Sequence, residues 1–286
     1  MKVLRTAFLL TALTLVLIVV GDAVAGPSGM RLALTLAIAF NVIAYFFSDK
    51  IALLSSGAKP VSRDELPRLY EVMERLAGKA NLPVPKLYLI PEAAPNAFAT
   101  GRNPSHASVA VTQGLLELMN DDELEGVIAH ELSHVRNYDI LISSIAATLA
   151  GAITYAARMG YWAQIFGYGG RDNDREGGGL SALLMLILAP IAAVLLQLGV
   201  SRQREYAADE SGAQMVGQQF GLISALQKLG AYNQRIPSNI PQTTSALCIV
   251  KPMFGGGATW SSLFSTHPPL EDRIAALREM TISRPG

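Results

Sequence analysis

Two histidines and a glutamate, His130, Glu131 and His134 in the run VIAHELSHVRNYD at 127–139, are the residues of this chain best suited to chemistry. On a helix the i, i+4 spacing stacks both imidazoles on one face, one turn apart, where they can share one zinc ion. Glu131, beside the first histidine, is placed to take a proton from a water, the general-base role in metal-assisted hydrolysis. The flanking residues argue for a buried helix. Asn120-Asp-Asp-Glu123 has the pattern of a capping box, and Leu124, Val127, Ile128, Leu132 and Val135 form an apolar stripe with the histidines along its edge. The chain has four histidines and one cysteine, Cys248, which excludes an internal disulfide and a cysteine-rich zinc site. The metal must be held by histidine and carboxylate.

Two histidines leave a catalytic zinc one protein ligand short. The helical pattern Ser201-Arg-Gln-Arg-Glu205-Tyr-Ala-Ala-Asp209 puts two carboxylates one turn apart on one face. Glu205 can complete a two-histidine, one-glutamate set, and Asp209 can accept the outer N–H of a ligand imidazole. Beside Arg202 and Arg204, both carboxylates fit a solvated, salt-bridged face as well. His267, in Ser265-Thr-His267-Pro-Pro-Leu270, stands at a rigid entrance to a last amphipathic helix at 274–280. It is either a surface residue or a donor to the oxyanion of a tetrahedral intermediate. His106, in RNPSHAS, reads as exposed.

The elements that must position these residues belong to a membrane protein. Of 286 residues half are hydrophobic, the formal net charge is zero, and the mean hydropathy is +0.31. A balanced charge offers no footprint for nucleic acid. Uncharged apolar stretches lie between Arg5 and Asp22 and between Arg31 and Asp49, each near the lower limit for a spanning helix. The first also resembles a secretory signal ending in Ala23-Val24-Ala25, but the second follows at once as its hairpin partner, which favours an uncleaved span. Lys2 and Arg5 precede the hairpin and Lys50, Lys59, Arg63 and Arg68 follow it, so the positive-inside rule puts both flanks in the cytoplasm. Two more apolar stretches, 140–157 and 177–201, flank a polar, glycine-rich loop at 167–179. They read as a second hairpin inserted in the catalytic domain; a buried core helix is the rival reading of the first, and its length and equally apolar partner favour the membrane.

Between the hairpins the composition is that of a soluble domain. Ser62-x-x-Glu65 has a capping-box pattern opening an amphipathic helix to about Lys79 through Leu66, Leu69, Val72, Met73 and Leu76. Segments 86–90 and 108–112 read as strands and 96–100 as a short extended piece, a small sheet ahead of the metal helix. The extended piece, Asn96-Ala97-Phe98-Ala99, could hold a peptide by strand addition or be an ordinary edge strand. The organisation expected is a hairpin at 1–49, a cytoplasmic protease domain in two parts at 50–139 and 202–286, and the inserted hairpin at 140–201.

The motifs H-E-x-x-H, S-R-x-x-E-Y-x-A-D and T-H-P-P-L-x-x-R occur in that order, and together they resemble the peptidase family that includes the heat-shock protease HtpX and the CAAX prenyl protease Ste24. The resemblance implies a mainly helical, zincin-like core with a small sheet and about four transmembrane helices. It implies one zinc ion on His130, His134 and Glu205, with Glu131 as general base and Asp209 as the second acid of an ExxxD motif. The piece 96–99 is similar to the family's substrate-side strand, and His267 matches the histidine of its His-Pro-Pro motif. The activity implied is a zinc endopeptidase of the cytoplasmic membrane that cleaves misfolded or damaged membrane proteins. Ste24-type enzymes carry more spans, which argues against a prenyl-protein substrate. The alternative from another class is a membrane scaffold or chaperone-like binder with a structural zinc. Three ligands and a base leave a coordination position for water, whereas a structural site is closed by four ligands.

Overall fold

The computed structural model describes residues 2–165, 201–233, 235, 237–241, 244–250 and 268–282. Its architecture is mainly helical with one small mixed sheet. Helix α1 (Lys2–Ser55) carries both N-terminal apolar stretches and breaks at Ala25 and Gly26, where Gly26 has φ +57. Pro27 follows the break, because a residue with fixed φ and no N–H can begin a helix but not continue one. The two arms fold back together: Asn41 Nδ2 donates to Thr14 Oγ1 at 2.9 Å, and Gly21 and Gly29 meet where no side chain would fit. Leu32, Leu36, Phe40 and Phe46 on the second arm are exposed, and Ala25–Ser55 is long and apolar enough to cross a membrane.

Ser62 and Glu65 form the expected local bond, with the Ser62 N–H and hydroxyl both donating to Glu65 Oε2. Helix α2 (Pro67–Lys79) nevertheless begins later than the pattern predicts. Leu66 precedes a proline, whose Cδ bars helical geometry from the residue before it, and Leu66 accordingly has φ −133 and ψ 64. Strands β1 (Lys59–Pro60), β2 (Lys86–Ile90), β3 (Ala97–Gly101) and β4 (Ala107–Thr112) form a sheet in the order β1-β2-β4-β3. β2 and β4 run parallel, with Leu87 opposite Val109, and β3 returns antiparallel on β4, with Ala97 opposite Val111. β3 is an end strand, but all five of its residues are buried.

Helix α3 (Gln113–Leu118) leads to α4 (Asp121–Arg136), which is the centre of the molecule. Both arms of the capping box are made at 2.9 Å: Glu123 N–H donates to Asn120 Oδ1 and Asn120 N–H to Glu123 Oε2. Glu123 is buried and accepts from Lys228 Nζ at 2.7 Å and Ser224 Oγ at 2.6 Å, which ties the start of α4 to α7 (Phe220–Asn233). The core joins Leu69, Met73 and Leu76 of α2, Val109 and Val111 of β4, Leu124, Ile128 and Leu132 of α4, and Leu226 of α7. Each such side chain contributes roughly 1.5–3 kcal/mol by leaving water.

Helix α5 (Asp139–Ile165) opens the third apolar stretch, and its first turns are buried by protein, with Ile140, Ile145 and Ala150 at most 1% exposed. Leu141, Ile145 and Leu149 pack with Ala44 of α1. The glycine-rich loop 167–179 and the fourth stretch up to residue 200 lie outside the described residues. The chain resumes at Ser201 with α6 (Arg202–Val216), then α7, and ends in α8 (Leu270–Glu279). α8 starts one turn earlier than the pattern at 274–280 predicts, with Pro269 as its N-cap residue and Glu271 and Asp272 in the first turn.

Candidate metal centre

α4 and α6 bring three side chains to one point. His130 Nε2 and His134 Nε2 are 3.2 Å apart, and the Glu205 carboxylate lies 3.7 Å from the first and 3.5 Å from the second. Atoms held at ~2.0–2.1 Å from a common centre in a tetrahedral array stand about 3.3 Å from one another, so the set is sized for zinc. This approach depends on Gly212 of α6: a Cβ there would stand 3.0 Å from the His130 backbone nitrogen and 3.2 Å from the Ala129 carbonyl carbon. Glycine lets α6 settle on α4 and delivers Glu205 to the histidines.

A carboxylate lies behind each imidazole. His130 Nδ1 is 2.8 Å from Asp209 Oδ1, and His134 Nδ1 is 3.4 Å from Asp139 Oδ2. With both Nδ1 atoms donating outward, both Nε2 atoms keep their lone pairs for the space between them, an arrangement that repels itself unless a cation is shared. Arg273 of α8, 1% exposed, forks onto Asp209 with bonds of 2.7 and 2.6 Å. Its Nη1 donates to the Ile249 carbonyl at 2.8 Å and stands 3.5 Å from Glu205 Oε2. A planar guanidinium can make this bidentate grip and reach a third acceptor; an ammonium cannot.

Glu131 is buried, and neither of its oxygens has a hydrogen-bond partner among the described residues. Burial raises its carboxyl to about 7, helped by Glu205, while the His134 charge and the nearby Ala99 N–H pull the other way without prevailing. Burial holds the His130 imidazolium below the usual range against the pull of Asp209. For His134 burial works downward, but the Asp139 bond and the Glu205 and Glu131 carboxylates outweigh it and raise the ring to about 9. A site that draws a proton so strongly onto an imidazole attracts cations generally. Asp209 resists the upward push of burial because Arg273 and His130 hold its charge, so its pKa stays low. Counting Glu131 as ionised and both imidazoles as neutral, the carboxylates of Glu131, Glu205, Asp209 and Asp139 face the guanidiniums of Arg273 and Arg204, leaving two negative charges for a divalent cation.

His130, Glu131, His134, Glu205 and Asp209 are thus brought together, whereas His267 lies outside the described residues. His106 is exposed, with Nδ1 2.9 Å from Asn103 Oδ1. The 96–99 piece passes beside α4. Asn96 faces β4, its carbonyl accepting from Thr112 N–H at 2.9 Å, so Ala97 and Ala99 turn their backbone groups outward. At Ala97 that edge is occupied by the chain itself: Ile249 N–H donates to Ala97 O at 2.9 Å, and Asn96 Nδ2 donates to Val250 O at 2.8 Å. Sequence reasoning missed two residues of the centre. Arg273 closes the third motif, which was its only signal, and Asp139 lies just past the end of α4, where local periodicity assigns no partner.

A model of peptidase family M48 matches residues 63–281. The protease HtpX homolog of Desulfatibacillum aliphaticivorans is 52% identical over 275 residues, covering 96% of this chain and 88% of that protein. The protease HtpX homolog of Syntrophobacter fumaroxidans is 50% identical over 280 residues, covering 96% and 98%. The crystal structure of S. mikatae Ste24p is similar with a TM-score of 0.50 at 20% identity, over 96% of this chain and 64% of that chain, a likeness of fold. Relatives matched along nearly their whole length and a family model spanning the helices of the metal centre agree, and the chain belongs to peptidase family M48 and is a metalloprotease.

Proposed function

We propose that this membrane protease is a zinc-dependent endopeptidase, with His130, His134 and Glu205 holding the metal and Glu131 acting as general base. The observation that carries the reading is Glu131: a buried carboxylate without a hydrogen-bond partner among the described residues, one position from a metal ligand. Zinc held there would supply Lewis acidity toward a peptide carbonyl and toward water. Glu131, raised by burial and drawn back toward its ionised form by a bound cation, takes the proton from the attacking water and returns it to the leaving amine. Asp209, gripped by Arg273, fixes the His130 ring. The 96–99 piece brings the Ala99 N–H near the Glu131 carboxylate. A substrate strand pairs on its outward edge at Ala99, beyond the point where Ile249 takes the Ala97 carbonyl, while Phe98 packs inward and Asn96 braces the wall at Val250. His267, from the matching motif, is assigned to the oxyanion.

The substrates are polypeptides, misfolded or damaged membrane proteins removed as quality control under stress. Support comes from the relatives' name, from the exposed apolar arm Ala25–Ser55, and from helices α4 and α6, which in sequence directly precede α5 and directly follow the fourth apolar stretch. The zincin-like protease domain, 50–139 and 202–286, faces the cytoplasm of the inner membrane, anchored by the hairpins 1–49 and 140–201 as about four spans. The test is cleavage of an unfolded membrane protein co-reconstituted in lipid vesicles beside soluble unfolded casein. Metal-dependent fragments from the membrane protein are expected, and cleavage of casein alone would remove the substrate assignment.

A further inference from the structure

The ring of His134 is held by a carboxylate from a different helix than the one that carries it. Asp139 is 8% exposed, its Oδ2 lies 3.4 Å from His134 Nδ1, and its Oδ1 lies 3.8 Å from Nη1 of Arg204, the neighbour of Glu205. On an unbroken helix residue 139 would stand about 140° around the axis from residue 134, out of reach of its ring. The chain instead stops α4 at Arg136, passes Asn137, and puts Tyr138 at φ +60, a left-handed conformation that a tyrosine rarely adopts. That reversal starts α5 at once and turns its first residue back to the last turn of α4. An unfavourable backbone conformation at an exposed tyrosine is kept where it delivers a carboxylate to a metal-ligand imidazole.

We infer that Asp139 is the positioning residue for His134, as Asp209 is for His130, and that it ties this ring to α5 and to the start of α6. The inference rests on the assignment of His134 as a metal ligand. An acid in the first turn of α5 would also favour the helix dipole, but that role acts on stability and leaves the metal's surroundings alone. The residue touches neither substrate nor metal, so its effect is read in how tightly and in what geometry the metal is held.

The experiment uses full-length, metal-loaded protein in detergent and follows transfer of zinc to a chromogenic chelator and the visible absorption of the cobalt-substituted form. Asp139→Ala and Asp139→Asn are measured beside His134→Ala and Asp122→Asn, the last removing an exposed acid from the first turn of α4. Asp139→Ala should release zinc about 10–100-fold faster and shift the cobalt spectrum, Asp139→Asn should fall between it and the parent, and Asp122→Asn should match the parent. Parent-like release and spectrum in a folded Asp139→Ala would overturn the inference. If that variant does not fold, Asp139→Asn decides, and release at the parent rate counts against it. Parent-like zinc retention in His134→Ala would instead overturn the ligand assignment beneath it.

Discussion

Glu131 and Glu205 lie close enough to act on each other's charge, yet the proposed chemistry gives them different work. Glu205→Ala removes a ligand, so zinc should pass to a chelator at concentrations the parent resists, and activity should return in part with added zinc. Metal content after graded chelation checks this; full retention would move the third ligand elsewhere. Because Glu131 titrates near 7 and must be ionised to accept a proton, kcat/KM should fall as pH drops through about 7 or somewhat below, since a bound cation favours the carboxylate. Zinc release should follow at lower pH, and zinc content measured along the same titration separates the two steps. In metal-stripped protein the sign is different. His134, raised to about 9 from 6.5, adds stability that is fully present below 6.5 and is lost as pH rises through 9. Glu131, raised from 4.5 to about 7, acts in the same sense over that lower window, so the melting temperature of stripped protein should fall as pH rises from about 5 to 9. His130 and His134 were legible in the sequence because helical period alone puts them on one face, and Glu131 because it adjoins the first of them. Glu205 and Asp209 needed the added argument that two histidines are one ligand short. The parts played by Asp139 and Arg273 were not legible, because what each does is set by a partner on another helix.

Among the elements, the contact of α4 with α6 decides whether a metal site exists. Gly212→Ala would press a methyl group onto the His130 backbone, so α6 must retreat with Glu205. A loss of about 1–3 kcal/mol is expected, together with weaker zinc binding, whereas equal melting and equal metal affinity would mean that the helices have slack. Arg273 joins α8 to α6 and to the segment at Ile249, and its loss strands Asp209 in the interior. Arg273→Leu should cost about 3–5 kcal/mol in thermal or denaturant unfolding. Arg273→Lys should recover little, because a point charge cannot make the fork. The late start of α2 and the early start of α8 both trace to prolines at 67 and 269, whose effects on neighbouring backbone are local. The parallel pairing of β2 with β4, and the burial of end strand β3, are tertiary and left no period in the sequence.

At the scale of the molecule, the two helices of the candidate centre adjoin apolar segments in the sequence: α5 begins three residues after α4 ends, and α6 begins at residue 202, directly after the stretch 177–201. With Cys248 replaced by serine, single cysteines placed in 167–179 should react with an impermeant reagent from outside the cell, and cysteines near Lys59 should not. The reverse pattern would invert the topology. The most direct test of the central claim is Glu131→Gln in purified, zinc-loaded protein, with zinc counted by mass spectrometry and cleavage of unfolded casein followed with and without chelator. The parent should give fragments that chelator abolishes, and the variant should hold the same zinc while cleaving slower by a factor of roughly 10² or more. Fragments appearing at the parent rate in a zinc-loaded Glu131→Gln protein would contradict the account.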